Sequence, residues 1–184
     1  VCRVLQGVDS NYSTDLFTPL LQSISENTGT QDAEGEIGVA YRVIADHLRS
    51  LSFAIADGAI PSNEGRGYVL RRMLRRATRF GRVLGMETPF IYKLVPTLVE
   101  VMGDAFPEIR KQQAHISKVI EAEEASFGNT LDRGLEIFEQ MVAQPKTISQ
   151  KKLSGEDAFK LYDTYGFPVD LTRLICEERQ LELD

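Results

Sequence analysis

Apolar residues recur at three- and four-residue intervals in almost every segment between turn signals, and that spacing commits the chain to helices. Ile44, Leu48, Leu51 and Ile55 form one stripe of an amphipathic helix expected over Tyr41–Asp57, with Gly58 placed to end it. Leu16, Leu20, Leu21 and Ile24 predict a helix from about Asp15 to Asn27, with Asp15 or Thr14 as its cap, and polar Thr28–Gly38 reads as a loop. Pro61–Gly67 reads as a structured turn with Ser and Asn capping residues. It leads into a helix that Gly81 and Gly85 end. Pro89 opens another helix to about Met102, bent or interrupted at Pro96, and Pro107 starts a long one to about Ala143. After polar Gln144–Lys152, read as a hinge at Pro145, Ser154 is placed to cap a short helix. A turn over Asp163–Pro168 and a last helix through Leu171, Leu174 and Ile175 follow. The expected fold class is all-α: a multi-helix bundle over residues 1–146 with a small C-terminal helical subdomain over 147–184.

Within that pattern one helix is chemically unusual. Arg66, Arg71, Arg72, Arg75, Arg76, Arg79 and Arg82 lie in a run that contains no acidic residue and no lysine, in a chain of net charge −6. On a helix, Leu70, Met73, Leu74, Ala77 and Leu84 fall on one arc, and the arginines from Arg71 onward fall on the opposite arc. Ordinary solvated faces mix signs, because acid–base pairs one turn apart stabilise them. Arginine without lysine favours planar, bidentate contact with phosphate. An anion-binding face is therefore the leading reading, with salt bridges to glutamates of the long helix as its competitor.

The remaining chemistry is sparse. Cys2 and Cys176 form no spaced cluster, which fits free thiols and leaves a long-range disulfide open. With His47 and His115 the only histidines, a His/Cys zinc site has too few ligands. No apolar run is long enough to span a membrane, and no signal-peptide pattern opens the chain. Asp163 and Asp170 flank an aromatic turn without a nucleophile or metal cluster, His47 beside Asp46 and Arg49 reads as structural, and Glu121–Glu124 reads as a solvated face. Asn63 reads from its setting as a helix cap, with contact to a base edge beside the basic face as the alternative. On these residues nucleic-acid binding ranks first, a protein-interaction module second and an autonomous enzyme third. Val1–Gln6 reads as an apolar stretch beginning in mid-element, as in a fragment of something longer.

Several blocks carry a family resemblance. They are Leu5–Tyr12, Arg42–Ser50, Ala56–Gly58, Pro61–Arg72, Glu123-Glu124 with Phe127 and Thr130-Leu131, and Phe159–Pro168. In order and spacing they closely resemble alanyl-tRNA synthetases over essentially the whole chain.

The resemblance implies a helical tRNA-recognition domain that follows the class II catalytic core. On that footing the ATP- and alanine-binding motifs, with magnesium, lie upstream of Val1. The editing domain with its zinc ligands and the oligomerising tail lie beyond Asp184. The segment alone is expected to hold no cofactor and to form no adenylate. The implied partners are the acceptor stem of alanine tRNA and the neighbouring catalytic and editing domains, in a cytoplasmic or organellar setting. The family's readers of the G·U pair at the third position of that stem map onto Asn63 and Asp163. Arg66, Arg71, Arg72, Arg75, Arg76, Arg79 and Arg82 would then hold the RNA backbone. The alternative is a helical protein–protein or interdomain docking module without direct RNA readout.

Overall fold

The apolar stripes bury as helices. The structure is a computed structural model describing Val1 to Asp184, and its order is α1 (Cys2–Leu5), a 3-10 turn (Asn11–Ser13), α2 (Thr18–Thr28), α3 (Glu36–Ala56) and α4 (Gly65–Val83). A second 3-10 turn (Ile91–Leu94), α5 (Val95–Met102), α6 (Pro107–Lys111) and α7 (Gln113–Val142) follow. The chain closes with α8 (Pro145–Gln150), β1 (Lys152–Leu153), α9 (Gly155–Asp163), α10 (Val169–Glu178) and β2 (Glu182–Leu183). The all-α expectation holds, apart from the two-residue strands β1 and β2, which pair in parallel.

Boundaries shift where local signals compete. Neither Thr14 nor Asp15 caps α2; it starts at Thr18 with Pro19 in its first turn, where a missing N–H costs nothing. Pro96 occupies the same kind of position in α5, so it starts a helix after the 3-10 turn rather than bending one. Gly81 does not end α4. It lies inside the helix, where a Cβ would come within 2.7 Å of the Phe90 ring, and Gly85 in the left-handed region (φ 80°) follows the true end. The long helix expected from Pro107 is two helices, divided at Gln112, which no proline or glycine marks. The polar Gln144–Lys152 stretch folds as α8 and the start of β1, with Thr147 buried.

Contacts divide the chain into two compact units, Val1–Ala125 and Ser126–Asp184. The division falls inside α7, upstream of the 146/147 break read from the polar stretch. The reason lies in the α7 stripe: Phe127, Leu131, Phe138 and Met141 belong to the same core as Leu161 of α9 and Leu171 and Ile175 of α10.

In the first unit α3 is the central element and packs along α4 and against α2. Ala40, Tyr41, Ile44, Leu48 and Leu51 are fully buried, and the Tyr41 hydroxyl reaches Thr30 Oγ1 at 3.0 Å, so its polar tip is satisfied. In the second unit Ser154 caps α9 as expected, its Oγ accepting from the Asp157 N–H at 3.1 Å. Gly166, in the left-handed region (φ 68°), turns the chain so that Phe167 is buried completely.

Phe167 fits because α7 has no side chain at Gly134, where an added Cβ would lie 2.0 Å from Phe167 Cδ2. The helix gains from alanine in propensity, about 1 kcal/mol, but overpacking costs about 1–3 kcal/mol. With a ring atom that close, the clash dominates. Gly134→Ala is expected to lower the urea midpoint of the second unit, whereas an unchanged midpoint would show that Phe167 can withdraw without loss.

Candidate nucleic-acid interface

The first turn of α4 is held close to the chain that precedes it. Ser62 N–H donates to the Gly67 carbonyl at 3.1 Å, and a Cβ at Gly67 would sit 2.3 Å from the Ile60 carbonyl oxygen. Glu64 is the residue at the cap position, and no side chain caps the helix. The capping roles read for Ser62 and Asn63 are therefore not used; Ser62 Oγ instead donates to the Glu64 carbonyl at 2.9 Å. Asn63 stands exposed on this turn, and its Oδ1 accepts from Arg71 Nη1.

The seven arginines do not form one uniform face. Arg71 and Arg75 are half-buried against Glu123 of α7. Arg71 Nη2 donates to Glu123 Oε2 at 3.0 Å, and Arg71 Nε lies 2.8 Å from Oε1 without the alignment of a hydrogen bond. Arg75 Nε lies 3.6 Å from the same oxygen. Arg79 is only 7% exposed, its guanidinium 4.8 Å from the Phe80 ring centroid and 3.8 Å from Glu36 of α3. Arg82 Nη1 donates to the Met86 carbonyl at 2.5 Å beyond the helix end, where a cation also suits the helix dipole. Arg66, Arg72 and Arg76 are the exposed ones, beside exposed Tyr68 and Val69. The Arg72 guanidinium lies 5.8 Å from the Tyr68 ring centroid. Helical spacing separated the arginines from the apolar arc, but the salt-bridge competitor holds part of the face.

Asp163 is exposed at the last residue of α9, beside exposed Phe159 and Tyr162. The turn after it is fixed by backbone bonds, Gly166 N–H to the Tyr162 carbonyl at 3.1 Å and Phe167 N–H to the Leu161 carbonyl at 2.9 Å. Asn63 and Asp163 thus stand in separate units, each beside a turn held by local backbone hydrogen bonds.

Residue types alone give no role to Glu124 and group it with a solvated face. It is buried at 3% exposure, and its two oxygens accept from the Phe90 and Ile91 N–H groups, each at 3.1 Å. A usable signal existed: Glu124 falls on the apolar stripe, four residues after Ile120 and three before Phe127. Burial pushes its carboxyl up to about 7, against the two N–H bonds and the Arg82 and Lys93 charges that pull it down. His47 is half-buried on α3, where burial first and the Arg76 charge second push its imidazole down to about 4. Tyr12 donates to Asp46 Oδ2 at 2.5 Å, and burial and that bond raise its phenol to about 12. Both cysteines are free, so the disulfide left open by the sequence is not formed. No three His, Cys, Asp or Glu side chains gather where a metal could sit, and no helix is long and apolar enough to cross a membrane.

A basic, partly neutralised helix stands on an all-α frame, and comparison with known proteins gives that frame a family. The family described as "tRNA synthetases class II (A)" matches residues 1–184, and the chain belongs to it. The chain is 56% identical to the alanine–tRNA ligase of Chlorobaculum tepidum and 54% identical to that of Chlorobium phaeobacteroides, over its full length and 21% of each relative. It is 52% identical to the alanine–tRNA ligase of Shewanella loihica, over its full length and 20% of that protein. The resemblance drawn from Pro61–Arg72 and Phe159–Pro168 is to the right family, and the chain spans about a fifth of the length of these relatives.

Glu124 and His47 pull stability in opposite directions. Glu124 holds its proton more tightly when folded, so its contribution is present below pH 4.5 and lost as pH rises through about 7. His47 holds its proton less tightly when folded, so its contribution is present above pH 6.5 and lost as pH falls through about 4. Glu124→Gln should cost about 1–3 kcal/mol at low pH by leaving one N–H unpaired. It should also flatten the fall in stability between pH 4.5 and 7. His47→Gln should flatten the opposing rise between pH 4 and 6.5. Urea denaturation across pH checks both slopes.

Proposed function

We propose that this segment grips the acceptor stem of alanine tRNA and reads its G·U wobble pair. It would work within a longer enzyme that attaches alanine to tRNA at the expense of ATP. Catalytic motifs using ATP and magnesium, and an editing domain using zinc, would lie outside it. The observation that carries the reading is the division of α4. Arg71, Arg75 and Arg79 meet carboxylates of the protein, while Arg66, Arg72 and Arg76 remain exposed on the same helix whose first turn displays Asn63.

The chemistry of the stem suits that arrangement. An RNA minor groove is wide and shallow, so side chains reach base edges and 2′-hydroxyls there. Guanine presents its 2-amino donor in that groove, and in a wobble pair this group lacks a Watson–Crick partner. Exposed Asp163 accepts only, which matches a donor; exposed Asn63 can meet the partnering base edge or a ribose hydroxyl. The exposed arginines supply attraction to phosphate, which positions a stem without selecting it.

A docking role draws on a different patch. Val1, Val4 and Leu5, around α1, are 96%, 81% and 80% exposed, an apolar cluster suited to a protein surface.

Binding of acceptor-stem hairpins, measured by fluorescence anisotropy from low to moderate salt, tests the reading. Asn63→Ala or Asp163→Ala should each reduce the preference for G·U over G·C by about 1–3 kcal/mol, and equal losses on both stems would reject the reader assignment. Arg72→Ala or Arg76→Ala should weaken both stems alike and lower the salt slope by about 1. Failure of the hairpin to bind at moderate salt would favour the docking role.

A further inference from the structure

We infer that Glu123 and Arg71 form a clamp that fixes the orientation of the Asn63 side-chain amide, presenting it to RNA as a hydrogen-bond donor. Arg71 is then a positioning residue and not a phosphate contact. The inference rests on the reading of Asn63 as a base-pair reader and specifies what that reader offers.

The argument starts from donor inventory. A guanidinium donates and never accepts, so the atom of Asn63 facing Arg71 Nη1 is the amide oxygen whatever else changes. With Oδ1 turned to Arg71, the two N–H groups of Nδ2 stand on the opposite edge of a planar amide. An exposed asparagine without such a partner would rotate and present either edge.

Arg71 is itself held. Its Nη2 donates to Glu123 Oε2 at 3.0 Å and its Nε lies 2.8 Å from Oε1, so one planar fork spans the carboxylate and the amide together. Glu123 is 12% exposed and Arg71 22% exposed, which keeps water from replacing the Glu123–Arg71 contact cheaply. The carboxylate also faces Arg75 at 3.6 Å. Arg71 therefore has its charge met by the protein and both of its Nη groups hydrogen-bonded, unlike exposed Arg76.

The clamp selects the chemistry that Asn63 can meet. A donor edge fits an acceptor in the minor groove: pyrimidine O2, purine N3 or a ribose 2′-oxygen. Fixing the edge in advance also removes the ordering cost of doing so on binding. Asn63 and Asp163 then offer complementary polarities, one donor edge and one acceptor, on two separately built turns.

The test uses the same 184-residue chain, with hairpins differing only in the G·U or G·C pair, and variants that keep or break the fork. Arg71→Ala should reduce the stem preference about tenfold, as loss of one directed contact does, with an unchanged salt slope; Glu123→Gln should reduce the preference as far, and is read on preference alone because it also releases Arg75. Arg71→Lys keeps charge and packing but not the planar fork, and should lose the preference nearly as far. In an Asn63→Ala background, Arg71→Ala should cause no further loss of preference. Additive losses, or a slope lowered by about 1 as for Arg76→Ala, would overturn the clamp and make Arg71 a phosphate contact. Replacing single ribose 2′-hydroxyls with hydrogen in the stem separates a sugar acceptor from a base acceptor.

A second readout needs no RNA. In the nitrogen-15 spectrum of the free chain, Arg71→Lys should shift the Asn63 side-chain amide resonances towards those of a freely rotating amide; unchanged resonances would overturn the clamp. A wild-type chain without stem preference would reject base reading by Asn63, leaving the spectrum to decide the clamp alone.

Discussion

Like-charge repulsion along α4 is the constraint around which the first unit is built. Seven arginines from Arg66 to Arg82 with no acid among them make a helix that cannot satisfy itself. Its neighbours answer from outside: Glu123 of α7 between Arg71 and Arg75, and Glu36 of α3 beside Arg79. These carboxylates neutralise one flank and leave Arg66, Arg72 and Arg76 outward. A basic strip narrower than the sequence suggests results, with the turn carrying Asn63 at its start. The Glu123–Arg71 pair belongs both to this neutralisation and to the placement of Asn63, so one contact serves packing and the proposed recognition.

The same economy shapes the glycines. Gly67, Gly81 and Gly134 are helical positions where a Cβ would strike a carbonyl or an aromatic ring, and each lets another segment approach closely. Gly67 brings α4 onto the Ile60–Ser62 segment, and Gly134 lets Phe167 enter the second core. The two turns proposed for recognition are thus fixed by backbone contact and not by capping side chains. Rigid placement of that kind is what a short polar side chain needs if it is to discriminate between two stems that differ by one base pair.

Glu124 illustrates the opposite use of a carboxylate. One residue from Glu123, it turns inward and ties down the chain at Phe90 and Ile91. Adjacent residues on a helix point in different directions, so two neighbouring glutamates serve unrelated tasks. Composition cannot tell them apart. Their phase relative to Ile120 and Phe127 can.

The amino-acid sequence by itself determined the helices, because apolar periodicity and proline and glycine positions are local properties, and it determined the family through Pro61–Arg72 and Phe159–Pro168. It also placed the N-cap at Ser154, whose partner is three residues away. Tertiary structure alone decided which arginines remain exposed, since Glu123 lies 52 residues from Arg71 and no local rule pairs them. It likewise decided that Gln144–Lys152 is ordered and that contacts divide inside α7, where the stripe changes partners. Helix formation depends on neighbours in sequence; the exposure of a charge, and the edge an amide presents, depend on neighbours in space.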